Sequence, residues 1–226
     1  MFVPQHFRTH DGRWAIRIIH DHPLATLVTN GDPAPFATRL PALPAPNDRP
    51  DAPLIGTKLL CHMNRANPHW ARLADGTVSR LMFDGPQGYV TPAIYPPGPA
   101  APTWNFTSVH LNGRIRLLRT PQETLEVVRF TAARLEAQFG RGWEATPSLD
   151  YFQRILPGVG AFQFQVEAVE TMYKLSQDQS PEVQELVIRH YEADSTGNYR
   201  GLARLMRDYG LGETVPAGGA AEAAER

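Results

Sequence analysis

Between residues 121 and 139 apolar side chains recur at three- and four-residue steps (Leu125, Val128, Ala132, Leu135, Phe139), whereas on both sides of that stretch they tend to alternate every second residue. The first spacing is that of one helical face and the second that of a strand with one face buried. Thr120 stands before a helix-starting proline and Gly140 follows the last turn, so the pattern predicts a helix over 121–139 with defined ends. Alternation is clearest in Ala161–Val169, and it extends the expected strands to Leu24–Thr29, Pro35–Leu40, Gly56–Met63, Ser79–Asp84, Gly88–Thr91 and Thr103–Leu118. Asn30-Gly31 predicts a tight hairpin turn, and Asp75-Gly76 and Asp84-Gly85-Pro86 predict further turns.

Shorter helices are expected at 11–21, with Asp11 as N-cap and Trp14, Ile18 and Ile19 on one face, and at 148–156, 181–191 and 199–209. Residues 41–53, with five prolines, read as an exposed loop. Residues 211–226 are rich in Gly, Ala and Glu, lack bulk to bury, and are expected to be disordered. Strands joined by short turns, with one long helix between them, define an α+β chain: a mostly antiparallel, closed or nearly closed small β-barrel with peripheral helices. The expected division is a barrel domain over 1–190, a helical extension over 191–210 and a tail over 211–226. A doubly wound sheet is disfavoured, because the first strand connections are too short for crossovers and no Gly-rich phosphate turn precedes a helix.

Composition narrows the function. The 226 residues carry 42% hydrophobic side chains, enough for a core, and a formal charge of −1, which lacks the basic excess of a chain built to grip nucleic acid. No apolar run approaches the roughly 20 residues of a membrane span, and the single cysteine, Cys61, excludes an internal disulfide. No nucleic-acid partner, no membrane and a cytoplasmic location are expected. The HExxH, P-loop and Gly-x-Ser-x-Gly patterns are absent.

Two segments concentrate chemistry. Cys61-His-Met-Asn-Arg-Ala-Asn-Pro-His-Trp70 packs two imidazoles, a guanidinium and a carboxamide around an Asn-Pro stop, and Pro99–His110 carries aromatic, hydroxyl and imidazole groups into a strand. Together they predict a pocket with an apolar wall and a polar rim. Period two turns Cys61 away from His62, so thiolate ligation is a minor reading, and Met63 reads as core.

These segments carry a resemblance. Met1–Pro4, Phe36-Ala-Thr-Arg-Leu-Pro41, His62–Trp70, Gly85–Pro92, Pro102–Phe106, Val109-His110 and Lys174-Leu-Ser-Gln177 resemble, in order, the PaiB-type FMN-binding split-barrel family. The fuller strings His62–Trp70, Pro99–His110, Glu123–Val128, Leu156–Phe162 and Lys174–Val183 resemble the piperazate synthases within it. That resemblance implies a split barrel, haem b as cofactor, a homodimer, and cyclisation of N5-hydroxy-L-ornithine to L-piperazic acid with loss of water. His62 is then the first choice of axial iron ligand and His69 the alternative. Arg65 is a candidate for a haem propionate, a flavin phosphate or a substrate carboxylate, with a salt bridge as the plain reading. Lys174 would hold an acid group or donate a proton, Tyr89 and Tyr95 would supply hydroxyls, and His110 would carry a proton or support another residue. Trp104 and Phe106 would wall the pocket. The chain departs from the family pattern at Arg39, Cys61 and Gln87, where histidine, glycine and histidine are usual; Arg39 could hold a cofactor acid group. The competing readings are a PaiB-like FMN-binding regulator of transcription and a flavin-dependent oxidoreductase, both with FMN in place of haem.

Overall fold

The computed structural model describes residues 1–8, 12–46, 53–195 and 197–212. The proposed N-cap Asp11 and nearly all of the expected tail lie outside the described residues, as does part of the expected loop over 41–53. The described residues are α1 (Gly12–Asp21), β1 (Leu24–Thr29), β2 (Phe36–Pro44), β3 (Lys58–Asn64), β4 (Val78–Val90), β5 (Thr103–Leu118), α2 (Pro121–Phe139), α3 (Leu149–Ile155), β6 (Val159–Lys174), α4 (Pro181–Ala193) and α5 (Gly197–Asp208), with short 3-10 turns between them. The six strands close into a barrel in the order β1-β2-β3-β6-β5-β4. Pairs β1–β2, β1–β4, β2–β3 and β3–β6 are antiparallel, which makes the chain an α+β split-barrel fold.

Three expectations about strands are corrected. Thr29 pairs with Phe36, so the connection spans six residues and not a two-residue Asn-Gly turn; Pro33 and Pro35 have no N–H to extend the ladder. The proline-rich stretch begins inside β2, where Ala42 and Leu43 are buried and pair with Cys61 and Leu60. The expected turn at Asp84-Gly85-Pro86 is strand: β4 runs through it, and burial alternates as Leu81, Phe83, Gly85 before resuming as Gly88 and Val90. The alternation therefore slips by one position between Gly85 and Gly88, as an extra residue in a strand requires.

By contacts the chain forms two compact units: Met1, Thr9–Gly85 and Ser108–Thr171 make the first, and Phe2–Arg8, Pro86–Thr107 and Met172–Arg226 the second. In the first unit the barrel interior is filled by Leu27, Leu59, Leu81, Phe83, Phe162 and Phe164, all with no exposure. A second layer forms outside the sheet, where Leu60 and Ala161 meet Leu118, Val127 and Phe130. This layer corrects the expected face of α2. Its buried residues are Thr124, Val127 and Thr131, while Phe139 is exposed. The helix ends match expectation, and Thr120 caps its start in a reciprocal pair with Glu123.

The second unit has its own core of Tyr173, Leu175, Val187, Ile188, Tyr191, Leu202 and Met206. Gly88 is required there, because a Cβ would lie 2.8 Å from the Tyr199 ring and 2.9 Å from Leu202. Helices α4 and α5 are tied by Arg207, whose guanidinium grips both oxygens of Glu185 and also donates to Glu192. Hydrogen bonding from Arg207 holds the Glu185 carboxyl down at about 2. Because that value lies below the ordinary carboxylate range, the pairing contributes stability at and above neutral pH and loses it as pH falls toward 2. Glu185→Gln is therefore expected to melt at lower temperature than the parent protein at pH 7, with the difference closing as pH drops from 4.5 to 2. Melting curves across that range check this; an equal difference at pH 7 and pH 2 contradicts it.

Candidate functional site

The segment after β3 folds back on β2 and on the start of β6, and each polar residue in it has a separate task. His69 is 1 % exposed, and its Nδ1 and Nε2 hydrogen-bond to Thr38 Oγ1 at 2.9 Å and Thr29 Oγ1 at 2.8 Å. Its ring stacks on Phe36. Burial holds its pKa below the ordinary value, so the ring is neutral: one nitrogen donates to a threonine oxygen and the other accepts from a threonine hydroxyl. Asn67 closes the turn by accepting from the His69 N–H at 2.9 Å and donating to Thr38 Oγ1 at 3.2 Å. Both imidazole nitrogens of His69 are thus engaged by the fold.

Arg65 serves the same turn. Its backbone N–H donates to Gly158 O, its Nε donates to Val159 O at 2.8 Å, and its guanidinium lies over the Trp70 ring. Trp70 in turn needs Gly160, since a Cβ there would come within 2.5 Å of the indole. The guanidinium is exposed, and the structure gives it a bracing role in this turn.

His62 differs from both. Period two in β3 buries Leu59, Cys61 and Met63 and turns His62 toward the other face, as the sequence predicts. There it lines an open cavity of about 540 Å³ with Thr38, Arg39, Asn64, Asn67 and an apolar side of Leu40, Pro41, Met63, Ile155 and Val159. Its Nδ1 is buried and has no hydrogen-bond partner among the described residues. Burial lowers its pKa, so the imidazole is neutral at neutral pH. A neutral imidazole keeps one nitrogen lone pair for a ligand. Arg39 sits at the rim of the same cavity, exposed, with Nη2 donating to Leu24 O at 3.0 Å. It also lines a smaller cavity of about 320 Å³ with His22 and Asp84.

The donor set suits a flat prosthetic group: a neutral nitrogen base, an apolar wall, hydroxyl and carboxamide groups, and a guanidinium for an acid substituent. Among the described residues no three His, Cys, Asp or Glu side chains gather as a metal-ion site. Cys61 is wholly buried and its thiol is driven far above its ordinary range, which leaves it inert.

The remaining expected site residues lie elsewhere. His110, in the first unit, is half-buried, its Nδ1 has no partner among the described residues, and burial together with Arg80 keeps it neutral. Lys174, Tyr89 and Trp104 belong to the second unit. Tyr89 and Trp104 form an exposed edge-to-face pair, 39 % and 51 % exposed. Thr29, Thr38 and Asn67 were not singled out from sequence, because what makes them matter is pairing across 29 to 40 positions. The signal nearest to them is Asn67-Pro68 itself.

Comparison with known proteins gives the family. A family model described as "Putative FMN-binding domain" matches residues 1–168, and the chain belongs to that family. "Protease synthase and sporulation protein PAI 2" from Bacillus subtilis is 26% identical over 211 residues, covering 92% of this chain and 97% of that protein. Among solved structures, a conserved hypothetical protein (Rv2991) from Mycobacterium tuberculosis superposes with a TM-score of 0.52 at 9% identity, over 80% of this chain and 94% of that one. The FAD and haem binding protein from Mycobacterium smegmatis gives a TM-score of 0.50 at 14% identity, over 74% and 72%. Both likenesses establish the fold. Among the described residues no helix is long and apolar enough to cross a membrane.

The division of labour between the two imidazoles has a direct consequence. His69→Ala is expected to lower stability by about 2–4 kcal/mol, because it removes a buried ring, leaves the buried Thr29 hydroxyl without its partner and takes one of two bonds from Thr38. His62→Ala is expected to change stability by less than about 1 kcal/mol, since no hydrogen bond is lost. Urea unfolding of the two variants checks this, and the reverse order contradicts it.

Proposed function

We propose that this chain is a haem-dependent cyclase of the piperazate synthase type, acting on N5-hydroxy-L-ornithine as a homodimer. The observation that carries the reading is the state of His62: a neutral imidazole in a half-apolar cavity, with neither ring nitrogen engaged by the fold among the described residues. The motif resemblance over His62–Trp70, Pro99–His110 and Lys174–Val183 supports the choice of reaction. The Mycobacterium smegmatis protein of the same fold is titled as binding both FAD and haem, so either group is admissible in this architecture.

His62 would hold the iron and Arg39, where the family usually has histidine, would bind a propionate. When bound, haem would supply Lewis acidity that makes an N–O oxygen a better leaving group. The reaction balances without an outside reductant: the N–O bond breaks as the N–N bond forms, and the oxygen leaves with two protons as water. What the chain must add is orientation, because the two nitrogens lie at opposite ends of a flexible substrate that has to be held coiled for them to meet. It must also keep the attacking amine unprotonated, and the half-apolar wall of the cavity disfavours an ammonium there.

A second reading is favoured by the family description itself. In it the same cavity holds FMN, Arg39 binds its phosphate, and the chain is a flavin-dependent oxidoreductase or regulator. One titration separates the two. Protein loaded with hemin is expected to develop a Soret band with one equivalent, and on incubation with N5-hydroxy-L-ornithine to give a cyclic product lighter by one water in mass spectrometry. His62→Ala is expected to lose both while melting as the parent does. Uptake of FMN with exclusion of haem transfers the assignment to the second reading, and intact haem without cyclic product removes the cyclase.

A further inference from the structure

The chemistry that the cavity beside His62 can recognise depends on which of its polar atoms the fold has already engaged. Both asparagine side chains in its lining are oriented by backbone. Asn64 Oδ1 accepts from the Ala66 N–H at 2.8 Å and Asn67 Oδ1 from the His69 N–H at 2.9 Å, so the amide oxygens are turned into the fold. The carbonyls of Gly158 and Val159 accept from the Arg65 backbone N–H and Nε, each at 2.8 Å. No Asp or Glu is among the described lining residues. Apart from the lone pair of His62, the polar side-chain groups this wall still offers are donors.

Thr38 holds the donor whose origin can be traced. Its Oγ1 accepts from Asn67 Nδ2 at 3.2 Å and lies 2.9 Å from His69 Nδ1. The far side of the His69 ring decides which nitrogen carries the proton. Thr29, 4 % exposed, meets Nε2 at 2.8 Å through its Oγ1, which has no other hydrogen-bond partner among the described residues. A proton on Nε2 would make Thr29 the acceptor and leave its own hydroxyl proton buried without one, a cost that the other tautomer avoids. With the proton on Nδ1, Thr29 donates to Nε2, while Thr38 accepts from both His69 and Asn67. The hydroxyl proton of Thr38 is then unspent, and Thr38 shares the cavity lining with the Arg39 guanidinium.

We propose that Thr38 is a specificity-determining residue of this cavity, its hydroxyl donating to an oxyanion of the bound group. A hydrogen bond to a charged oxygen is about twice as strong as one to a neutral oxygen, so the cavity favours a carboxylate or phosphate over the corresponding ester or alcohol. A cation placed there meets Arg39 and no carboxylate. The inference rests on the reading of this cavity as the seat of a prosthetic group; the oxyanion is a porphyrin propionate under the first reading and a flavin phosphate under the second.

Two measurements on the full-length protein test it. In long-range proton–nitrogen NMR spectra of the ligand-free protein, His69 is expected to carry its proton on Nδ1, and a proton on Nε2 overturns the proposal. Equilibrium titrations then compare hemin with hemin dimethyl ester and FMN with riboflavin, on the parent, Thr38→Ser and Thr38→Ala. In whichever pair is accepted, the acid is expected to bind at least about tenfold more tightly than its uncharged form, in the parent and in Thr38→Ser. Thr38→Ala is expected to bring the two within about threefold. A general loss of stability lowers both members of a pair together and does not imitate that result, and the parent titrations and the tautomer need no variant. Equal affinity for acid and uncharged form in the parent, no binding of any of the four probes, or an undiminished margin in Thr38→Ala overturns the proposal. FMN bound over riboflavin without uptake of hemin keeps Thr38 and removes the cyclase, whereas cyclisation by a protein that takes hemin and its ester equally keeps the cyclase and removes this role of Thr38.

Discussion

The pair of hydrogen bonds that His69 shares with Thr29 and Thr38, one donated and one accepted, is the constraint on which the rest of the candidate site depends. It joins the turn after β3 to β1 and β2 by a buried, neutral ring. Asn67, Arg65 and Trp70 complete the bracing, each tied to backbone or to an adjacent ring. With the turn fixed in this way, the end of β3 is fixed too, and His62 is presented on the outer face of the barrel without itself having to hold anything. One histidine is structural and the other is available, although they lie seven positions apart in one motif.

Availability is an electrostatic property as much as a geometric one. A protonated imidazole cannot bind a metal, and burial keeps His62 in the neutral form without help from a carboxylate. Arg39 brings the only full positive charge to that cavity's lining among the described residues. A group with a flat apolar body and an acid substituent matches such a distribution, which haem and FMN share. Iron ligation is what would separate them, and it would call on a lone pair of His62.

Much of the fold was legible in the sequence. The bounds of α2 and β5 follow from their periods, because a capped helix and a long alternating strand are specified by local side chains. Errors came where local chemistry was overruled by distant packing. Gly85-Pro86 has the composition of a turn, yet β4 runs through it with a one-residue slip in burial. Pro41–Pro44 reads as loop, yet the buried Ala42 and Leu43 hold it in the sheet. For the candidate site, the sequence puts His62 ahead of His69, but the reason the fold engages one imidazole and leaves the other unpartnered is not local to the motif. That depends on Thr29 and Thr38, whose role is set by register.

The central claim is that His62, and not His69, is the imidazole open to a prosthetic group. A crystal structure of the haem-reconstituted protein tests it most directly. The account predicts an iron bonded to His62, with His69 still hydrogen-bonded to both threonines. Iron bonded to His69, or a porphyrin seated away from the cavity of His62 and Arg39, contradicts it.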